Sequence, residues 1–174
     1  MIKSKAIEGG VLTHLDANGR ARMVDVGEKA VTRRRARARC EIRMRPEILK
    51  RLREGQIAKG DALTVAKTAG FLAVKKTAEL IPLCHPLTVD FIDIRFLDSP
   101  DGLGLVAESE VSCEAKTGVE MEALAGAAVA ALTLYDMIKS YGPEIVITNL
   151  RLSSKTGGKT PYEYTAAGGD PDRQ

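Results

Sequence analysis

Residues 35–45 read Arg-Ala-Arg-Ala-Arg-Cys-Glu-Ile-Arg-Met-Arg. Small or apolar side chains occupy every even position, and charged side chains occupy every odd one. A period of two is typical of a β-strand that is buried on one face and exposed on the other. Pro46 follows and suits the first position of a helix, which we predict to end at Glu54. We therefore expect a one-sided sheet with helices on its apolar face.

The rest of the chain supplies elements in an order that indicates the fold class. A helix is predicted from an N-cap at Asp61 to Leu80, and an alanine-rich helix from Met121 to Ser140. Three further strands are predicted at residues 87–97, 105–115 and 145–152. This order predicts an α+β, ferredoxin-like βαββαβ fold, with a four-stranded antiparallel sheet and the helices on one face.

The length of 174 residues favours one domain, residues 23–162, between an N-terminal arm (1–22) and a C-terminal tail (163–174). A hydrophobic fraction of 44% and a charged fraction of 28% are usual for a soluble protein. The net charge of +3 suits an anionic ligand but does not require nucleic acid.

Cysteine spacing and the absence of an export signal indicate the cytoplasm. The three cysteines are far apart, which argues against a disulfide scaffold or a zinc ribbon. The first ten residues have no apolar core. The low-polarity run 123–134 is shorter than the about 20 residues that span a bilayer, so we expect a buried helix there.

Cys84 and His85 stand side by side between Pro82 and Pro86. A cysteine and a histidine can form a nucleophile and its base. However, adjacent side chains on an extended segment point to opposite sides, which argues against a nucleophilic Cys84. A functional His85 and a histidine that only holds a turn both stay open.

Candidate acid–base groups occur at both ends of the alanine-rich helix. Glu120 and Glu122 begin it, where carboxylates either stabilise the helix dipole or serve as acid–base groups or ligands of a guanine-type edge. Asp136 and Lys139 are three residues apart near its end and share a face. They are either a surface ion pair or a partly buried pair, in which Lys139 loses its proton more easily and becomes a usable base.

Two basic segments are candidates for binding phosphate. Residues 155–160, Lys-Thr-Gly-Gly-Lys-Thr, depart from a Walker A loop because Ser153 replaces its glycine and Pro161 follows. They form either a flexible loop that closes over phosphates or a solvated loop. The arginines of residues 33–39 suit phosphates, nucleic acid or a subunit interface on the open sheet face. An aromatic fraction of 4% argues against RNA.

Together these motifs closely resemble the cyclic pyranopterin monophosphate synthase family, accessory protein C of molybdenum cofactor biosynthesis. The resemblance covers about residues 12–162, and residues 80–87 and 116–124 are its most specific segments. The shorter matches are Met23-Val24-Asp25-Val26, Lys59-Gly60-Asp61, Tyr135-Asp136-Met137 with Lys139, and Lys155 with Gly157-Gly158-Lys159. Ala125 and Ile138 depart from the expected threonine and cysteine, at positions with no predicted role.

The resemblance implies a phosphorus–oxygen lyase. Its substrate would be (8S)-3′,8-cyclo-7,8-dihydroguanosine 5′-triphosphate, and its products cyclic pyranopterin monophosphate and pyrophosphate. It implies a ferredoxin-like subunit in a homohexamer, a trimer of dimers, with the active site at a subunit interface. No redox cofactor, metal site, nucleic acid or membrane partner is expected, and a Mg²⁺ ion on the substrate phosphates is left open.

The resemblance also implies roles for residues. The family's acid–base aspartate corresponds to Asp136, and its essential lysines to Lys59 and Lys139. Its substrate-binding motif corresponds to Leu83, Cys84, His85, Met121 and Glu122. Cations such as Lys59, Arg34, Lys155 and Lys159 suit the triphosphate, and Glu120 suits the base or sugar.

Two other classes stay open from the residues alone. An RNA-binding or regulatory domain would use the arginine face and would bind with a steep dependence on salt. A cysteine hydrolase would need Cys84 as its nucleophile.

Overall fold

The computed structural model describes residues 19–165. Its strands are β1 (Thr32–Arg43), β2 (Phe91–Asp98), β3 (Gly104–Ala115), β4 (Val146–Thr156) and β5 (Tyr162–Glu163). Its helices are α1 (Pro46–Arg53), α2 (Ala62–Lys75), α3 (Thr77–Leu80) and α4 (Glu120–Ile138), which a 3-10 turn, Lys139–Tyr141, extends. The strands form an antiparallel sheet in the order β2-β3-β1-β4-β5. The predicted α+β class is therefore confirmed.

The sheet has five strands, so the prediction of four is wrong. β5 pairs with Ser154 and Lys155 of β4. β4 in turn continues to Thr156, through residues that we predicted as loop. Neither feature has a local pattern, because each depends on hydrogen bonds to another strand: the end of β4 pairs with β1, and β5 pairs with β4. Most of the predicted arm (1–22) and tail (163–174) lies outside the described residues.

Two other predicted boundaries are wrong. The predicted helix from residue 61 to 80 is divided at Lys76 into α2 and α3, although Asp61 does accept from the Thr64 N–H as its N-cap. β2 begins at Phe91 rather than at residue 87. Residues 81–90 therefore form an irregular connector between α3 and β2, which carries Cys84 and His85.

β1 has the alternation that the sequence predicts. Ala36, Ala38, Cys40 and Ile42 are at most 1% exposed. α4 packs across this face, against β1, β3 and β4, and α2 packs against α4 and β2. The approach is close at Gly70 of α2, where a Cβ would overlap Ile94 and lie 2.9 Å from the Gly126 carbonyl oxygen.

The opposite sheet face carries a layer of ion pairs instead of a free row of arginines. Glu110 of β3 binds Arg35 and Arg37, and Glu108 binds Arg39 and Arg95. The glutamate side chains are only 5% and 7% exposed. Burial raises the pKa of Glu110, but hydrogen bonds from Arg35 and Arg37 outweigh it and lower the net pKa. Because Glu108 and Glu110 neutralise part of the charge of these arginines, the RNA-binding alternative is weakened.

α4 is the central helix of the fold. With its 3-10 turn it runs from Glu120 to Tyr141, and among the described residues it is the one helix long and apolar enough to cross a membrane. Half of its most apolar window is buried inside the fold. Because α2 and three strands cover it, we interpret α4 as the buried core helix that the sequence predicts.

Candidate active site

A cavity of about 410 Å³ opens where α4 begins. Six predicted site residues line it: Leu83, Cys84, His85, Glu120, Met121 and Glu122. The connector between α3 and β2 brings the first three, and the first turn of α4 brings the others. The Cys84 N–H donates to the Ile81 carbonyl, which turns the connector towards α4. The structure thus brings together two segments almost 40 residues apart.

The N-terminal segment supplies a wall of this cavity, which we call the N-terminal wall: Val24, Val26 and Lys29. It is held by the Lys116 ammonium, which donates to the Gly27 carbonyl at 2.5 Å, and by a turn in which the Lys29 N–H donates to Val26. Sequence reasoning assigned no role to Lys29 or Lys116. The only signal for this wall was the Met23–Val26 motif of the resemblance.

Burial controls the chemistry of the cavity. Glu122 is 4% exposed, and its burial, with the Glu120 carboxylate nearby, raises its pKa. Burial also raises the pKa of Cys84, and the negative charge of Glu122 adds to this effect. A thiol with a raised pKa is a poor nucleophile at neutral pH. This environment favours a ligand-binding role for Cys84 and His85, and it argues against Cys84 as the nucleophile of a cysteine hydrolase.

A second, cation-rich cavity of about 250 Å³ adjoins the first and shares Gly118 and Glu120 with it. Its walls include the predicted phosphate ligands Arg34, Lys155 and Lys159. Lys155 lies on β4, and its ammonium is 3.1 Å from a Glu120 carboxylate oxygen. The acidic and the cationic cavities therefore meet at Glu120.

The glycines after Lys155 hold this loop against β1. Gly157 has a positive φ of 84°, and a Cβ there would overlap the Arg33 carbonyl oxygen. The Thr32 hydroxyl donates to the Gly157 carbonyl at 2.8 Å. At Gly157 this loop is therefore a turn fixed against β1, whereas its closure over phosphates stays a prediction. A further cavity of about 570 Å³ on this side adds Lys29 and Lys116 to the cations around the turn.

The three predicted catalytic residues meet at the other end of α4. Lys59 lies 3.1 Å from Oδ2 of Asp136, and Lys139 lies 2.6 Å from Oδ1. Lys59 also donates to the Asp136 carbonyl at 2.7 Å, where the last turn of a helix leaves carbonyls without intrahelical partners. The predicted shared face of Asp136 and Lys139 is confirmed. We call these three residues the lysine–aspartate cluster.

The lysine–aspartate cluster is exposed to solvent, so the partly buried pair considered from the sequence is absent from the single chain. All three side chains are roughly half exposed. Hydrogen bonds from Lys139 and then Lys59 lower the pKa of Asp136. The hydrogen bond to Asp136 raises the pKa of Lys139, which is opposite to the predicted shift towards a usable base.

The two groups of site residues do not meet within one chain. Glu120 begins α4 and Asp136 lies in its last turn. At a rise of 1.5 Å per residue, α4 separates them by about 24 Å. Between residues 19 and 165, no group of three or more His, Cys, Asp or Glu side chains is placed to hold a metal ion.

Fold and geometry together define a class: an α+β protein with an acid-lined cavity beside a cation-lined one, suited to a phosphorylated ligand. A family model described as the MoaC family matches residues 23–158. The chain belongs to the MoaC family, so the predicted resemblance is confirmed.

Curated relatives agree with this membership. The chain is 54% identical over 149 residues to the cyclic pyranopterin monophosphate synthase of Brevibacillus brevis, covering 86% of this chain and 92% of the relative. It is 50% identical over 149 residues to that of Chloroflexus aurantiacus, covering 86% and 91%. For the Desulfitobacterium hafniense protein of the same name, identity is 52% over 151 residues, covering 87% and 92%.

Proposed function

We propose that this chain is a cyclic pyranopterin monophosphate synthase of molybdenum cofactor biosynthesis. It converts (8S)-3′,8-cyclo-7,8-dihydroguanosine 5′-triphosphate into cyclic pyranopterin monophosphate and pyrophosphate. The observation that carries the proposal is the pair of adjoining cavities that meet at Glu120, one acidic and one cationic. A guanosine-derived triphosphate has one part for each: a base with hydrogen-bond donors, and a chain of phosphates.

The cation-rich cavity is the proposed triphosphate site. Arg34, Lys155 and Lys159 supply charged donors, which form stronger hydrogen bonds to phosphate than neutral groups do. Cyclisation of the remaining phosphate expels pyrophosphate, and cations stabilise the charge that develops on this leaving group. Lys155 is paired with Glu120 in the free chain, so phosphate binding exchanges one anionic partner for another.

The acid-lined cavity is the proposed site for the base and sugar. His85 and Glu122 lie in its wall with Leu83, Cys84 and Met121. Because burial raises the pKa of Glu122, its carboxyl takes up a proton more readily than an exposed glutamate does. Acidic groups in this position suit the nitrogen-rich edge of a guanine-type ring.

The lysine–aspartate cluster is the proposed acid–base machinery. Opening and rebuilding the purine ring requires repeated proton transfers, which positioned side chains accelerate. Lys139, with its raised pKa, starts as a proton donor, and Asp136, with its lowered pKa, starts as an acceptor. Lys59 contacts the same carboxylate and completes the set.

A second copy of the chain would bring the two groups of residues together. The separation of about 24 Å along α4 exceeds the length of one nucleoside triphosphate. An apolar stripe, Met121, Ala125, Val129 and Leu132, runs along the outer side of α4 between them, and Leu132 is 58% exposed. If two copies of the chain packed these stripes together with their α4 helices antiparallel, Asp136 of one chain would lie beside Glu120 of the other. This supports a dimer with interfacial active sites, and the homohexamer, a trimer of dimers, is proposed from the family resemblance.

We further propose a ferredoxin-like topology for residues 23–162, since β1 lies between β3 and β4 with β2 at the sheet edge. The chain would act in the cytoplasm. It would need no redox cofactor, because the substrate itself carries the functional groups that rearrange. Any Mg²⁺ ion would bind through the substrate phosphates.

The experiment is to measure pyrophosphate and pterin formation from the substrate, first with the wild type. His85→Ala and Lys139→Ala are then purified separately, mixed under conditions that exchange subunits, and assayed together. If each site uses residues of both chains, mixed dimers regain one intact site, and activity returns to roughly one quarter of wild type. Wild-type protein that forms no product contradicts the function. Mixtures that stay inactive after proven exchange contradict only the shared site.

A further inference from the structure

Tyr141 connects the end of α4 to the segment that carries Lys59. It belongs to the 3-10 turn that follows α4, two residues after Lys139. Its hydroxyl accepts from the Ala58 N–H at 2.7 Å and, at a longer 3.5 Å, donates to the Gln56 carbonyl. Both partners precede Lys59 in the turn between α1 and α2. The Tyr141 hydroxyl therefore connects the turn that carries Lys59 to the end of α4, which carries Asp136 and Lys139.

Tyr141 is itself held firmly. Its carbonyl accepts from Nη2 of Arg45 at 2.7 Å, and Arg45 also pairs with Glu144. The Arg51 guanidinium lies 5.6 Å from the centre of the ring. The ring is partly buried and packs against the hydrophobic core. Backbone, ring and hydroxyl each have a partner, so the position of the hydroxyl is well defined.

The segment that carries Lys59 has few other contacts. In residues 56–60, Ile57 is buried, and Gln56, Ala58, Lys59 and Gly60 are exposed. Gly60 has a positive φ of 95°, and its N–H closes a turn on the Ile57 carbonyl. Ile57 anchors one side of this turn, and the Tyr141 hydroxyl holds the residue directly before Lys59.

We propose that Tyr141 is a positioning residue for Lys59. Its hydroxyl sets the distance between the Lys59 backbone and the last turn of α4, so that the ammonium reaches Asp136 in register with Lys139. This inference rests on the proposed role of Lys59 in the reaction. A shift of about 1 Å in a catalytic group can cost up to a hundredfold in rate, so the loss of this hydrogen bond can be large for activity and small for stability.

Tyr141→Phe in the full chain is the test, because it keeps the ring and removes the hydroxyl. We expect kcat to fall about tenfold, with little change in KM and in Tm. Hydrogen exchange followed by mass spectrometry should show faster exchange in the peptide that contains Ala58 and Lys59, and unchanged exchange in the sheet. Tyr164→Phe is the matched control, since Tyr164 lies directly after β5, away from Lys59, and its ring contacts Arg151. It should keep wild-type kcat and exchange.

Two further variants distinguish a wrong role for Tyr141 from a wrong role for Lys59. They are Lys59→Ala and the double variant of Tyr141→Phe with Lys59→Arg. If Tyr141 acts through Lys59, adding Tyr141→Phe to Lys59→Arg should lower kcat by less than the product of the two single effects. Wild-type kcat in Tyr141→Phe, with Lys59→Ala inactive, overturns the inference alone. Full activity in Lys59→Ala overturns the role of Lys59 itself. A loss of kcat with a lower Tm and faster exchange throughout the domain assigns Tyr141 a structural role and also overturns the inference.

Discussion

The two ends of α4 carry the same kinds of side chain in opposite environments. At its start, Glu122 is 4% exposed inside a cavity, and burial raises its pKa. Near its end, Asp136 is exposed between two lysines, which lower its pKa. The same functional group is therefore more readily protonated at one end and more firmly ionised at the other. Environment, not residue type, assigns the two carboxyls to different tasks.

The difference also concerns how easily each end can change. Exposed ion pairs contribute little to stability, so the lysine–aspartate cluster can exchange partners when a substrate arrives. The cavity end is built from a fixed turn at Gly157, the N-terminal wall and a proline-flanked connector. We infer that the cavity end binds and orients the substrate and that the opposite end moves protons.

Lys139→Ala and Lys59→Ala should each remove nearly all activity and leave the fold intact. A positioned acid–base group contributes about 10²–10⁴-fold in rate, whereas an exposed ion pair adds about 0–1 kcal/mol to stability. Pyrophosphate release and thermal unfolding measure the two effects separately. Full activity in either variant would show that this lysine is not part of the acid–base machinery.

Lys155→Ala should mainly weaken substrate binding, because its ammonium lies in the proposed phosphate site. The loss of one charge-assisted hydrogen bond, worth about 1.5–3 kcal/mol, predicts roughly a tenfold to hundredfold rise in KM. Calorimetric titration with pyrophosphate alone should show the same loss of affinity. Lys75→Ala on the exposed side of α2 removes the same charge and should bind pyrophosphate like the wild type. Equal affinity in all three proteins would contradict the phosphate site.

Glu122→Gln should change how stability depends on pH. The pKa of Glu122 is higher in the folded state than in the unfolded state. Its contribution to the free energy of unfolding is therefore fully present below the unfolded-state pKa and is lost as pH rises through the folded-state pKa. The variant should therefore lose less free energy of unfolding than the wild type over that range. Denaturant unfolding at several pH values measures this difference. Glu79→Gln, on exposed α3, is the control, and an identical effect in both would show that burial is not the cause.

Cys84→Ser should have the smallest effect and keep substantial activity. The thiol has a raised pKa beside Glu122, so it contributes packing and a weak hydrogen bond rather than a nucleophile. Pyrophosphate release by the variant provides the measurement. An inactive but folded Cys84→Ser protein would restore the cysteine hydrolase alternative and would add covalent chemistry to the cavity end.

Elements with a local signal were predictable from the sequence. The alternation of residues 35–45 predicted β1, Pro46 predicted the start of α1, and the alanine-rich run predicted α4. The family was also predictable, because its motifs occur in a specific order, and the family match confirms it. The roles of the predicted site residues stay predictions, although the structure places them in two defined groups.

Features that depend on pairing across the sheet were not predictable. The extension of β4 and the two residues of β5 form because each finds a partner strand, and no local pattern marks them. Glu108 and Glu110 lie in an apparently ordinary strand, and only the register of β1 with β3 places them opposite arginines. The pKa of Lys139 is raised by its hydrogen bond to Asp136, and the solvent exposure of this pair is not revealed by spacing along a helix.

By itself, the sequence determined the α+β class, the positions of the main elements and the family. Only the tertiary structure decided which side chains share a site: Lys155 meets Glu120 across 35 residues, Lys59 meets Asp136 across 77, and Tyr141 meets Ala58 across 83. The physical reason is that propensity and periodicity act over one or two turns of chain. Contacts between elements depend on strand register and helix packing, which the whole fold sets at once.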